Sequence, residues 1–227
     1  MKRIVVLNIV LCISFVLSAQ KGLFPAQGTV MTYQNFDKKG KSVGKNVYLL
    51  ESIADSGNKI SVTYMVSSYD EKDKLTFSDR ITMEQVGDKM YFDMSSFVNK
   101  AAFQQDGEIP ASVIIEGNGM EIPVIGEASQ TLPDADITIT AEMGFISMKM
   151  ATKITNRRIE AVEDITVPAG TFSCMKISGD VSGKAMGIST SGKNIQWYAA
   201  GVGMVKSESY DKKENLIGYT ILTSLKK

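Results

Sequence analysis

Apolar and polar residues alternate one by one along several stretches of the chain. Ile60, Val62, Tyr64 and Val66 alternate with mostly polar neighbours, and the same pattern returns over residues 137–143. Successive side chains of a β-strand point to opposite faces, so the pattern predicts strands with one buried face and one wet face. At Gly144 the alternation shifts by one residue, which predicts a bulge or a tight turn there.

Short clusters of turn-forming residues separate these stretches. The clusters cover residues 37–41, 55–58, 70–73, 117–119 and 211–215. Hairpins between antiparallel strands need such turns, and a sheet of many strands must close or add a layer to hide its edges. We therefore predict a mainly all-β fold, a single antiparallel β-barrel or curled half-barrel of roughly ten strands. One short helical insert is predicted over residues 93–104.

Residues 1–19 have the layout of a secretory signal peptide. Lys2 and Arg3 precede an apolar run over residues 4–17, and Ser18 and Ala19 end it before polar residues begin. The run is too short for a membrane-spanning helix. We expect a signal peptide over residues 1–19 and one exported, β-barrel-like domain over residues 20–227, without a transmembrane segment. The periplasm is the favoured location, and the outer surface and the medium are the alternatives.

Composition excludes several classes of function. Loss of Lys2 and Arg3 with the signal leaves 23 of the 25 basic groups against 25 acidic ones, so no nucleic-acid partner is predicted. The chain has no histidine, which removes the usual general base and the commonest transition-metal ligand. We predict no enzyme activity, no catalytic residues, no cofactor and no metal.

The sulfur-containing residues are interpreted mainly as packing residues. Cys12 lies inside the signal and directly follows Leu11. A lipid-anchor site would have a small residue in place of Leu11, so no lipid anchor is predicted at Cys12. Cys174 is then alone in the mature chain, and we interpret it as a small buried hydrophobe ahead of a nucleophile or metal ligand. For the thirteen methionines, packing is favoured over a Cu(I) site and over a flexible lining for an apolar ligand.

Carboxylates stand out in two places. Asp134 and Asp136 form one group, and Glu160, Glu163 and Asp164 form another. We interpret the first group as solvated turn residues, ahead of a calcium loop, because the further oxygen ligands and the glycine spacing of such a loop are missing. A carboxylate pair for glycoside hydrolysis stays open, because sequence does not report separations in space.

Five segments together point to a known family. They are residues 24–29, 33–41, 122–135, 167–176 and 197–206, and the most specific parts are Val-Pro-Ala-Gly-Thr-Phe at 167–172 and the segment from Trp197 to Lys206. Together they resemble the TapB-like exported proteins of Gram-negative bacteria, although Ala200 stands where that family has proline. The resemblance implies a β-rich exported domain of unknown function, and it carries over no catalytic residues.

Three functions are compatible with these observations. The first is a non-catalytic envelope protein that holds an apolar small molecule or lipid in a barrel cavity, lined by Tyr64, Met148, Met150 and Trp197. The second is a structural or protein-interaction domain with a filled core, whose partner is an envelope protein. The third is a carboxylate-based glycan hydrolase. The volume of the interior separates them, because a carrier needs an apolar pocket of several hundred Å³.

Overall fold

One antiparallel sheet contains all the strands of the computed structural model, which describes residues 22–92, 112–143, 146–185 and 187–227. The strands are β1 (Val30–Asp37), β2 (Ser42–Asp55), β3 (Lys59–Tyr69), β4 (Leu75–Val86), β5 (Lys89–Phe92), β6 (Ser112–Glu116), β7 (Met120–Pro123), β8 (Ala135–Met143), β9 (Ile146–Val167), β10 (Gly170–Ala185), β11 (Ile188–Ala199), β12 (Gly203–Asp211) and β13 (Leu216–Lys226). Their order in the sheet is β6-β8-β9-β10-β11-β12-β13-β1-β2-β3-β4-β5-β7. The predicted all-β, antiparallel architecture is confirmed.

The two edges of this sheet lie close together. β6 and β7 are the edge strands, yet only residues 117–119 separate them along the chain. Three linking residues span at most about 14 Å between the strand ends. The sheet is therefore strongly curled, and its edges approach each other without pairing.

The prediction of roughly ten strands was too low, since the described residues form thirteen. β5, β6 and β7 have only four or five residues each. Strands this short show too few alternations to be recognised by their period. The predicted helical insert over residues 93–104 and the predicted irregularity at Gly144 lie outside the described residues.

The predicted turns at 37–41, 70–73 and 211–215 share one construction. In each, the first aspartate accepts hydrogen bonds through Oδ1 from the backbone N–H groups two and four residues later, at 2.7–3.0 Å. The aspartates are Asp37, Asp70 and Asp211. Such side-chain bonds replace part of the missing ladder and hold the hairpin closed. The three turns connect β1 to β2, β3 to β4 and β12 to β13.

A large part of the core lies on the inner face of the curl. Val62, Tyr64 and Val66 of β3 are all buried, as their alternation predicts. The largest fully buried side chains of the described residues include Leu50, Ile81, Met90, Ile122, Ile159 and Leu222. Burial of such apolar side chains is the main favourable contribution to folding.

A long hairpin adds a second layer at one end. β9 and β10 have 22 and 16 residues, and the β9 half of their tip contacts β12 and β13. Register shifts at Lys176 and at Ser178–Asp180 interrupt the ladder between the two strands. Bulges bend strands, so these two irregularities account for the tip crossing the neighbouring strands.

Candidate functional site

The curled sheet surrounds a cavity of about 470 Å³ that is partly open to solvent. Its described wall comes from β1 to β5, β7 and β9 to β12, together with residues around Leu23 and Val202. This volume falls within the range of about 300–1,000 Å³ that is usual for small-molecule sites. The wall is mainly apolar, which is also usual for such sites.

Four tyrosines form one side of the wall. They are Tyr33, Tyr48, Tyr64 and Tyr198. Tyr48 meets both Tyr33 and Tyr64 edge to face, with ring centroids 5.3 and 6.2 Å apart. Edge-to-face pairs are favourable and fix the rings relative to one another. Burial raises the pKa of all four hydroxyl groups, so the phenols are neutral over the physiological range.

Only one of the four phenols has its hydroxyl engaged by the protein. The Tyr33 hydroxyl donates to the Met204 carbonyl oxygen at 2.8 Å. Within the described parts of the chain, the hydroxyl groups of Tyr48, Tyr64 and Tyr198 have no hydrogen-bond partner. Because these side chains line the cavity, their free donors are available to a molecule inside it.

Arg157 is the single ionised side chain among the described wall residues. It is 2% exposed. Its Nη1 donates to the Pro133 carbonyl oxygen at 2.6 Å, and its Nη2 donates to the Glu121 carbonyl oxygen at 2.8 Å. Burial lowers the pKa of the guanidinium, and the nearby groups of Tyr198, Glu121 and Asp134 offset part of that effect. The arginine thereby ties β9, near one edge of the sheet, to the edge strand β7 on the other side.

A β-bulge turns Arg157 inward. Ser178 pairs with Arg158 and Asp180 pairs with Thr155, so Gly179 faces two residues, Asn156 and Arg157. Asn156 has a φ of +52°, a conformation that asparagine tolerates better than most residues. The extra residue changes the parity of the strand, so Ile154 before it and Arg157 after it both reach the cavity. A Cβ on Gly179 would lie 3.2 Å from Cγ of Arg157, so glycine leaves room for the arginine stem.

The structure brings one of the predicted lining residues to the cavity. Tyr64 lies in the wall. Met150 is half-buried in β9 but is not among the described wall residues, and the side chain of Met148 lies outside the described part of the structure. Trp197 lies on the opposite face of β11 from Tyr198, which does line the cavity. Adjacent strand residues point to opposite faces, so only one ring of this pair could enter the interior.

Trp197 is nevertheless buried, at 4% exposed. Its Nε1 donates to Glu163 Oε1 at 2.8 Å. The Nζ atoms of Lys176 and Lys206 lie 5.5 and 4.8 Å from the centre of its rings. Cations over an indole face are attracted by its negative charge density. This cluster anchors the tip of the β9–β10 hairpin on the outer face of the sheet.

Cys174 is fully buried, which confirms its interpretation as a small core residue. Burial, with smaller contributions from Asp164 and Glu163, raises the pKa of the thiol to about 11. The Sγ atom lies 3.4 Å from the Phe172 carbonyl oxygen, to which it donates. A thiol with so high a pKa is a poor nucleophile at neutral pH.

The acidic groups serve local contacts. Glu160 accepts hydrogen bonds from Ser178 Oγ at 2.5 Å and from Arg158 Nε at 2.8 Å, and these two bonds lower the pKa of its carboxyl group. Among the residues that the structure describes, no group of three or more acidic or cysteine side chains is placed to hold a metal ion. The described part of the chain also contains no helix that is long and apolar enough to cross a bilayer.

Sequence reasoning missed Arg157 and three of the four wall tyrosines. Tyr33 had a usable signal, because Met31 and Tyr33 alternate with Thr32 and Gln34, whereas Tyr48 lies in a continuous apolar run over residues 47–50. Arg157 had none. Its position in an alternating strand of polar and charged neighbours predicts a wet face, and only the bulge opposite Gly179 reverses that.

Comparison with known proteins places the fold. A Bacteroides fragilis protein with a YmcC-like fold, provisionally described as exported, is 21% identical and covers 90% of this chain and 98% of its own, with a TM-score of 0.72. A Parabacteroides distasonis protein, provisionally described as a lipoprotein, is 23% identical and covers 91% and 99%, also with a TM-score of 0.72. Both are crystal structures, and at these identities the likeness is one of fold.

The sequence comparisons are more specific about family. No curated protein matches the chain. The profile of the DUF3108-like family matches residues 26–222, which covers the whole described sheet except its last few residues. The chain therefore belongs to the DUF3108-like family.

Proposed function

We propose that this protein is a non-catalytic carrier that holds an apolar small molecule or lipid inside its curled sheet. The observation that carries the proposal is the interior cavity of about 470 Å³ with its mainly apolar wall. A protein interior is normally close-packed, so an apolar space of this size lowers the stability of the fold through missing packing contacts. A bound ligand would supply those contacts. A domain whose only role was to present its surface would gain stability by filling it.

The nature of the wall also favours a carrier. Met31, Met83, Met120 and Met204 all line the cavity. Methionine side chains are flexible and polarizable, so they adapt to ligands of irregular shape. The buried phenols among them supply rigid apolar surface with a few polar groups, which is the usual balance of a small-molecule site.

We further propose that the protein acts outside the cytoplasm. The signal-like residues 1–19 support this, and so do the descriptions of the two structural neighbours as exported and as a lipoprotein. The narrower assignment to the TapB-like exported proteins is also a proposal. It rests on the segments at 167–172 and 197–206.

A matched pair of substitutions tests the carrier proposal. Val181 lines the cavity, whereas Val162 is 54% exposed on the neighbouring strand. Val181→Trp should fill part of the cavity and weaken saturable binding of an environment-sensitive apolar dye at least tenfold. Val162→Trp adds the same volume outside and should leave binding unchanged. Circular dichroism checks that both variants are folded.

Native mass spectrometry of protein from the exported fraction gives an independent readout. A bound hydrophobic molecule should be released on denaturation. If the wild-type protein neither binds the dye saturably nor retains any hydrophobic molecule, the carrier proposal is wrong, and the alternative of an interaction domain takes its place.

A further inference from the structure

The charge on Arg157 has no ion-pair partner among the described residues, although it lies in the wall of a mainly apolar cavity. The side chain is 2% exposed, and within the described residues no carboxylate lies within ion-pair distance of it. Buried charges in proteins are nearly always paired, because removing a charge from water is costly. An arginine also does not escape this cost by losing its proton under ordinary conditions. The cavity wall therefore carries a positive charge that no ion pair with a described residue neutralises.

The guanidinium is held in place but is not saturated. It has five N–H donors, and its two hydrogen bonds to described residues go to the carbonyl oxygens of Pro133 and Glu121. These carbonyls fix the orientation of the planar group without neutralising it. The remaining donors form a rigid fork of the kind that recognises carboxylate and phosphate groups.

One phenol, Tyr198, lies near this charge. Tyr198 lines the same cavity, and the charge of Arg157 is close enough to oppose the rise in the Tyr198 pKa that burial causes. Among the described residues the Tyr198 hydroxyl has no hydrogen-bond partner, and neither has the hydroxyl of Tyr48. Arg157 and Tyr198 together offer a charged fork and a neutral donor to one anionic group.

On this basis, and resting on the carrier function proposed above, we propose that the ligand is an amphiphile with an anionic head group, which pairs with Arg157 while its apolar tail fills the apolar remainder of the cavity. The head group is a carboxylate or a phosphate, since both match the guanidinium fork. Cationic and zwitterionic heads are disfavoured, because Arg157 is the only ionised group of the described wall.

Four ligands with one tail and different heads test this. The probes are dodecanoate, dodecyl phosphate, dodecanol and dodecyltrimethylammonium, each below its micellar concentration and each competing with the apolar dye at pH 8. The wild-type protein should bind dodecanoate or dodecyl phosphate at least tenfold more tightly than dodecanol and the cation. Preference for dodecanoate identifies a carboxylate ligand, and preference for dodecyl phosphate identifies a phosphate ligand.

Variants then assign the preference to Arg157. Arg157→Met should abolish the preference, so that the anionic probes bind the folded variant no more tightly than dodecanol does. Arg157→Lys keeps the charge without the fork and should retain part of the preference. Tyr198→Phe should lower the ratio of anion affinity to dodecanol affinity several-fold. If Arg157→Met does not fold, the wild-type head-group series and Tyr198→Phe still decide the question.

The outcomes separate this inference from the carrier proposal. If dodecanol or the cation binds as tightly as the anions, or if Arg157→Met folds and keeps the anion preference, the inference is overturned while the carrier proposal survives. Arg157 is then an architectural tie between β9 and β7. If the dye does not bind and none of the four probes binds either, both proposals fail.

Discussion

At the scale of single residues, burial decides what each polar or reactive group can do. Cys174 and Arg157 are both buried, yet burial has different effects on the two groups. The thiol is neutral and donates weakly to a backbone oxygen, so its environment satisfies it. The guanidinium retains its charge and keeps donors that no described residue accepts. The first is a packing residue, whereas the second keeps the donors on which the proposed anion recognition rests.

Cys174 should react slowly with thiol reagents in the folded protein. With a thiol pKa of about 11, about one molecule in a thousand carries the thiolate at pH 8. The rate of alkylation by iodoacetamide should therefore rise about tenfold per pH unit above pH 8 while the fold persists, and be fast at once in denaturant. Mass spectrometry of labelled protein measures this. Equal native and denatured rates at pH 8 would contradict the buried assignment.

Cys174→Ala serves as the control for that experiment. It removes the only thiol of the described residues and should cost about 1 kcal/mol through lost packing. Dye binding should be unchanged, because Cys174 does not line the cavity among the described wall residues.

At the scale of elements, backbone irregularities shape the long β9–β10 hairpin. Its turn contains Pro168 and Ala169, and Gly170 opens β10 with a φ of +141°. Side chains rarely adopt such a conformation, because Cβ would meet the backbone. The bulge at Asn156 has a different role. It redirects the side chain of Arg157, whereas the turn at Pro168 and Ala169 reverses the direction of the chain.

Gly170→Val should destabilise the protein by about 1–3 kcal/mol, because valine must adopt the strained backbone of Gly170. Ala169→Ser, at the neighbouring turn position, should change stability by less than about 0.5 kcal/mol. Urea denaturation followed by tryptophan fluorescence measures both, since Trp197 lies beneath this hairpin tip. Equal midpoints for the two variants would show that this turn carries no backbone strain.

At the scale of the whole molecule, the curl of a single sheet creates the cavity. The strands that supply the wall run from β7 at one edge to β9 near the other. Arg157 spans that gap through its bonds to β7 and to Pro133. The cavity therefore depends on edges that approach each other without forming a continuous ladder.

Hydrogen exchange should reveal this open edge. Backbone amides of β1 and β13, in the middle of the sheet, should be the slowest to exchange, and those of β6 and β7 should exchange at least a hundredfold faster. Edge strands have one unpaired side, and these two are short. Exchange followed by mass spectrometry of peptides measures the difference. Protection of β6 and β7 equal to that of β1 would mean that the edges pair and the barrel is closed.

Much of the fold could be predicted from local patterns. The alternation around Tyr64 and the aspartate turns at Asp37, Asp70 and Asp211 are properties of short segments, and the structure contains the corresponding strands and hairpins. Burial of Cys174 also followed from composition, because no partner existed to activate it. These features depend on side-chain direction and turn geometry, which neighbouring residues determine.

The cavity and its charge could not be predicted in the same way. Trp197 and Tyr198 are adjacent in the chain, but which of them faces the interior depends on the register of β11 against its neighbours. Arg157 reaches the wall only because β9 carries one more residue than β10 at Gly179. Alternation along one strand reports that its two faces differ, whereas pairing between distant strands decides which face is inside and how much space the curl leaves there.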